Sequence, residues 1–255
     1  VCSSDLSRDG PLDALRFLAA LFIVLYHVAE RAPVSLFNLS PAFGRGYLAT
    51  DFFLMLSGYV LARTYGPRVQ GSDVDTLTFL KRRVQRIWPP HLVMLALFVA
   101  FFVGTSAIGL APQNPQWFQW DQLLPQVFLV QAWFVPGNSG WNMPTWTLSA
   151  LIVAYALFPM AWRRVAATRR PLALLILGVC AYVAIDQAAL MAFDIPGYQL
   201  PLRFGLIRGV PLFMIGLLVA RLPVYPAYAQ DNERWQDAAM HRHVLAHSDA
   251  TGYAR

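Results

Sequence analysis

Apolar residues run along this chain in blocks of helical length, separated by short polar stretches. Six blocks, at about 12–29, 47–62, 91–110, 145–162, 171–190 and 203–221, approach the ~17–25 residues that a membrane-crossing helix needs. The second is the weakest by length and has Asp51 and Arg63 at its ends. A seventh stretch, Leu123 to Phe134, is short and holds Pro125 and Gln126; it reads as re-entrant, interfacial or a compressed span. The pattern predicts an all-α, polytopic transmembrane helix bundle with six or seven membrane segments.

Polar residues inside the blocks then stand out. The first block carries Asp13, Arg16 and His27, and ionisable groups at hydrocarbon depth are costly enough to mark function. Eleven residues make about three helical turns, so Arg16 and His27 share one face about 16 Å apart along the axis. Asp13 lies near that face, one turn before Arg16. A neutral imidazole takes and returns protons near pH 7, which suits transfer of an acyl group to an alcohol; a histidine hydrogen-bonded to a neighbouring helix is the plainer reading.

Composition agrees with a membrane protein: 57% of residues are hydrophobic and 13% charged, with mean hydropathy +0.45, against roughly half and a quarter in soluble domains. The net charge of +6 does not point to nucleic acid, because the basic residues cluster between apolar blocks in the positive-inside pattern. Arg63, Arg68, Lys81, Arg82, Arg83 and Arg86 place the connection after the second block in the cytoplasm, and with it the N-terminus. Val34 to Gly46 is then outside. Arg163, Arg164, Arg169 and Arg170 mark a second cytoplasmic connection, which requires that 123–134 does not cross completely. Pro112 to Gln122 becomes an external loop whose tryptophans suit an interfacial belt or a sugar-stacking surface.

The two cysteines, Cys2 and Cys180, form no disulfide or zinc framework, and the first block has no signal-peptide cleavage site. Residues 1–10 read as an N-terminal extension, truncated or non-native, and 11–222 as the membrane domain. Residues 223–255 read as a polar tail, disordered or non-native. Its His241, His243 and His247 contain one i,i+4 pair, but a solvated tail explains them and no metal site is assigned.

Four further constellations carry chemistry. Asp51, at the outer end of the second block, can orient His27 or pair with an arginine, while Ser57-Gly58 allows close approach of a helix or a ligand. Arg83 and Arg86, with Arg82 beside them, put guanidinium groups on one helical face; they can hold phosphates of a nucleotide-containing acyl donor or simply mark topology. In Pro144-Thr145-Trp146-Thr147-Leu148-Ser149, a threonine can cap the helix and Trp146 can anchor at the interface or stack on a sugar. Arg203 and Arg208 can bind an anionic acceptor or pair with Asp51 or Asp194.

Together these stretches resemble the acyltransferase 3 family of bacterial membrane O-acyltransferases. Leu12-Asp13-Ala14-Leu15-Arg16 through Tyr26-His27 is similar to that family's first helix, with its Arg-x10-His spacing. Thr50-Asp51-Phe52-Phe53-Leu54-Met55-Leu56-Ser57-Gly58-Tyr59 is similar to its (V/T)DLFFVLSGF segment. Arg83-Val84-Gln85-Arg86-Ile87-Trp88-Pro89 resembles RxxRIxP, Trp146-Thr147-Leu148-Ser149 resembles WSLS, and Phe213-Met214-Ile215-Gly216 resembles a later FxxG helix. The resemblance covers about 12–222. It implies transfer of an acyl group, often acetyl, from cytoplasmic acyl-CoA (acetyl-CoA) as co-substrate to a hydroxyl of an envelope sugar or polysaccharide, at the bacterial inner membrane. It implies catalysis by His27 with Arg16 and Asp13, donor binding by Arg82, Arg83 and Arg86, and an acceptor or supporting shell of Asp51, Ser57, Trp146, Ser149 and Arg208. No bound cofactor is implied.

Two departures stand beside it. Leu151 occupies the position of a glutamate in the family's WSLSxE pattern, and about ten helices are typical where six or seven are present here, which makes the chain read as a C-terminal truncation. The rival readings are a glycan transporter or flippase, whose intramembrane Asp, Arg and His would form a path, and an inactive fragment of the acyltransferase.

Overall fold

The computed structural model describes residues 10–31, 40, 43–71, 75–110, 114–137 and 140–222. Within them all regular structure is helical: α1 (Gly10–Arg31), α2 (Tyr47–Gln70), α3 (Thr76–Ala107), the short α4 (Leu123–Val127), α5 (Trp146–Ala167), α6 (Pro171–Phe193) and α7 (Gly205–Arg221). Five of these regions, including α1, α3, α5, α6 and α7, are long and apolar enough to cross a membrane. The helix α2 is long enough at 24 residues but more polar. The readings of residues 1–9, most of Val34 to Gly46 and the tail histidines lie outside the described residues.

Helix ends fall further out than the apolar blocks. Helix α2 continues through Arg63 and Arg68 to Gln70, and α3 begins at Thr76 rather than near 91. The basic residues expected in a connection therefore sit on helical turns. Arginine and lysine are good helix formers, and hydropathy marks where apolar surface stops, not where the backbone unwinds. Asp75 caps α3, its carboxylate accepting the Thr78 N–H at 2.9 Å. Hydrogen bonds from Thr78 hold that carboxyl below the ordinary aspartate range. The cap therefore supports α3 at neutral pH and is lost as pH falls through the lowered value.

The segment 123–134 gives five helical residues followed by turns, so it is no continuous spanning helix. Its irregular backbone at this depth has to find polar partners within the protein. The His91 imidazole Nε2 lies 2.8 Å from the Gln126 carbonyl. The Gln126 side chain accepts the Asn142 N–H at 3.0 Å, and the Trp88 indole donates to the Val127 carbonyl at 2.7 Å. Ser149 Oγ accepts the Ala132 N–H at 3.2 Å, while the Trp133 indole donates to the Ser149 carbonyl at 3.0 Å. Ser149 is thus fully buried and fastens the broken segment to α5.

Helices α2 and α7 cross with their backbones touching. A side chain at Gly58 would strike the Phe213 carbonyl, and one at Gly216 would strike the Met55 carbonyl. The expected close approach at Ser57-Gly58 is therefore a helix crossing, and Ser57 itself donates to the Phe53 carbonyl one turn back, at 2.8 Å. Around the crossing, Leu54, Leu61, Leu151, Phe158, Phe213 and Leu217 form the core. Helices α1 and α6 lie at the rim and expose apolar side chains such as Phe17, Leu18, Ile176 and Met191, a surface compatible with lipid or with further helices.

Replacing Gly216 with valine should force α2 and α7 apart and cost about 2–3 kcal/mol, in the range of overpacked cores. Gly104→Val, where a side chain meets open space, should be nearly neutral. Thermal unfolding in detergent checks the pair; equal effects would contradict the crossing.

Candidate active site

The site divides into two levels, set by helices that run in opposite directions. Helices α1 and α3 run from the arginine level to the histidine level, and α2, α5 and α7 return. His27 thereby meets the beginnings of α2 and α5, and Arg83 meets the end of α2 and the middle of α5.

At the histidine level, a cavity of about 700 Å³ is lined by Ala20, Ile23, Val24, His27 and Val28 of α1, Thr50 and Phe53 of α2, and Pro144, Trp146 and Thr147 beside α5. The α1 residues follow the i, i+3, i+4, i+7 spacing of one helical face. Among the described residues, His27 is the sole titratable side chain in the lining, and its ring meets Tyr26 edge-on at 5.3 Å. Thr147 Oγ1 donates to the Pro144 carbonyl at 2.9 Å, and Thr145 Oγ1 donates to the Asn142 carbonyl at 2.6 Å. Neither threonine caps α5 in the expected way; both hydroxyls are used to tighten the turn that leads into it.

Asp51 does not line this cavity. It points to α7, where Arg208 Nε donates to Asp51 Oδ1 at 2.7 Å and both side chains are 12% exposed. Arg208 also donates to the carbonyls of Tyr47 and Tyr198, each at 3.2 Å, and its guanidinium lies 5.5 Å from the Trp146 ring. Of the two readings for Asp51, pairing with arginine is the one the geometry shows. Trp146 forms the partition, with the cavity on one side and the ion pair on the other. Arg203 stays out of this pairing and lies over the Phe204 ring at 4.9 Å. Asp194 ends α6 in a left-handed conformation, distant in role from any arginine.

At the arginine level, Arg16 pairs with Asp13 at 2.5 Å on the exposed start of α1, as their spacing suggests. Arg83 is partly buried, with its guanidinium 4.5 Å from the Tyr65 ring, 5.5 Å from Phe79 and 5.9 Å from Tyr155. Arg82 and Arg86 are exposed. Among the described residues only two ion pairs form, Arg16–Asp13 and Arg208–Asp51, so Arg83 has rings but no carboxylate. Burial of an unpaired cation is unfavourable, and the arrangement suits an anion supplied from outside. Of these arginines, Arg83 is the one whose guanidinium the geometry brings to Tyr155 of α5.

A family model described as an acyltransferase domain matches residues 10–227. The chain belongs to this acyltransferase family. It is similar to the acyltransferase MdmB of Streptomyces mycarofaciens, 32% identical over 169 residues, which are 62% of this chain and 40% of that protein. It is also similar to protein 2 in the picA locus of Rhizobium radiobacter, 39% identical over 99 residues, 39% of this chain and 48% of that protein. A third relative, SACOL0978 of Staphylococcus aureus (strain COL), named as a candidate O-acetyltransferase, is 27% identical over 124 residues, 48% of this chain and 18% of that protein. The chain spans less than half the length of each of these relatives. No solved structure matches it. Family and fold together make this chain a multi-pass membrane member of that acyltransferase family.

Sequence reasoning noted Gln126 only as a mark of the irregular segment and passed over its partners His91 and Asn142, and Tyr65 and Tyr155, which surround Arg83. The signal available for the first group is polarity within apolar surroundings. The tyrosines gave none, because an aromatic residue at helical spacing reads as core.

The ion pair of this acyltransferase should be a large stability term. Arg208→Leu alone should cost about 3–5 kcal/mol, because it strands Asp51 among apolar neighbours. Joining it to Asp51→Leu should recover part of the loss. Unfolding of the single and double variants in detergent measures both, and a harmless single substitution would contradict the pairing.

Proposed function

We propose that this acyltransferase moves an acyl group, acetyl in the simplest case, from acyl-CoA to a hydroxyl of an acceptor bound beside His27. The carrying observation is the cavity of about 700 Å³ in which His27 is the one titratable lining residue among those described. An imidazole nitrogen of His27 takes the acceptor's hydroxyl proton as the oxygen attacks the thioester carbonyl. The carbon–sulfur bond breaks, and the proton passes to the departing thiolate, giving an ester and a free thiol.

The donor's phosphates are assigned to the arginine level, where Arg83 and Arg86 are available, with Arg82 exposed beside them. The thioester arm then has about three turns of α1 to cover, along the face that Ala20, Ile23 and Val24 supply to the cavity. This assignment puts the arginine level on the cytoplasmic side of the bacterial inner membrane, with the N-terminus, and His27 toward the outside. It agrees with the positive-inside distribution of charge. The acceptor class is an envelope sugar or polysaccharide. The described lining residues offer the part that enters the cavity mainly apolar surface.

Asp51, Ser57, Ser149 and Arg208 act in this scheme by shaping the site: the ion pair and the serine hydrogen bonds hold Trp146 and the start of α5 against the cavity. The transporter reading draws less support, because its intramembrane Asp51 and Arg208 are closed on each other.

In cells carrying the full-length reading frame, His27→Ala should abolish O-acetylation of the acceptor while leaving expression and unfolding temperature near those of the parent. Retained acetylation would defeat the assignment. Arg86→Ala should weaken acyl-CoA binding in detergent by about tenfold or more, the loss of one charge-assisted contact; an unaltered dissociation constant would defeat the donor site.

A further inference from the structure

Helix α5 contributes Leu151, Ala154 and Phe158 to the core. Tyr155 belongs to the same helix and packs against that core with its ring 6.0 Å from Phe213. Phenylalanine would fill this space equally well, so packing does not account for the phenol hydroxyl. The hydroxyl has no hydrogen-bond partner among the described residues, although its ring lies beside Arg83 at 5.9 Å.

The surroundings of that hydroxyl are cationic. Arg83 comes from α3 with Tyr65 at 4.5 Å and Phe79 at 5.5 Å against its guanidinium. Rings so placed fix a guanidinium by cation–π attraction and leave its edge N–H groups for other partners. Arg86 lies one turn further along α3. A neutral hydroxyl is the one kind of α5 donor that adds a hydrogen bond to an anion here without adding like-charge repulsion. A carboxylate would instead neutralise the arginines and repel the anion.

Building on the donor-site reading above, we infer that the Tyr155 hydroxyl donates a hydrogen bond to a phosphate oxygen of the acyl-CoA donor, completing with Arg83 and Arg86 an anion site drawn from α3 and α5. The ligand chemistry is a phosphate or diphosphate ester. The aromatic rings on Arg83 hold the cation at the height where Tyr155 meets it. The site therefore forms only when α3 and α5 are packed together.

The test compares coenzyme A with pantetheine, which lacks the phosphates, on the full-length protein in detergent by equilibrium binding or competition. Tyr155→Phe preserves the ring and should raise the coenzyme A dissociation constant about tenfold, leave pantetheine binding unchanged and leave the unfolding temperature unchanged. Equal weakening of both ligands would overturn the inference, since it marks a packing role. Unchanged coenzyme A affinity in Tyr155→Phe, with weakening in Arg86→Ala, would overturn Tyr155 alone and leave the donor site standing. No weakening in either variant would overturn both.

Discussion

The contact between Asp51 and Arg208 fixes the rest of the molecule. An aspartate and an arginine at this depth are each unfavourable alone, and together they are tolerable only with close geometry and further hydrogen bonds. Both conditions hold, since Arg208 meets Asp51 at 2.7 Å and also reaches the carbonyls of Tyr47 and Tyr198. The pair sets the register of α2 against α7 at one level. Two to three turns deeper along α2, Gly58 and Gly216 let the same helices touch. With two fixed points the helices have one relative rotation, and that rotation turns Thr50 and Phe53 toward α1 while Asp51 faces α7.

Trp146 passes this constraint to the cavity. Its ring lies 5.5 Å from the Arg208 guanidinium and forms part of the wall opposite His27. The backbone that carries Trp146 is itself held by Thr145, Asn142 and the side chain of Gln126. The polar residues of the broken segment therefore act on the site without entering it. A base needs its substrate hydroxyl within hydrogen-bond reach, and rigid walls limit where that hydroxyl can sit.

The fold class was legible because helix length in a bilayer is set by hydrocarbon thickness, which composition reports directly. Arg16, Asp13 and His27 were legible for the same reason: a charge among leucines has few structural explanations. The pairing partner of Asp51 was readable only as one of several arginines, since 157 residues separate it from Arg208 and helical period says nothing about which helix lies alongside. The end of α2 and the start of α3 were misjudged where charged turns continue a helix past its apolar face. Tyr155 stayed hidden because its ring satisfies the core pattern.

Leu151 brings the two levels together. It sits one turn before Tyr155 on α5, between the height of Trp146 and that of Arg83, and it is packed among Leu54, Ala154 and Phe158. The resembled family carries a glutamate there. A carboxylate at this height would offer a countercharge to the nearby cationic group, whereas leucine supplies only packing. Arg83 consequently has aromatic neighbours and no anion among the described residues. An uncompensated cation in a partly buried site gains more from an arriving phosphate than a neutralised one does, because ligand binding then supplies the missing partner. On the proposed assignments, the leucine leaves charge balance at the arginine level to the donor, and the proton transfer proposed for His27 receives no help from this position.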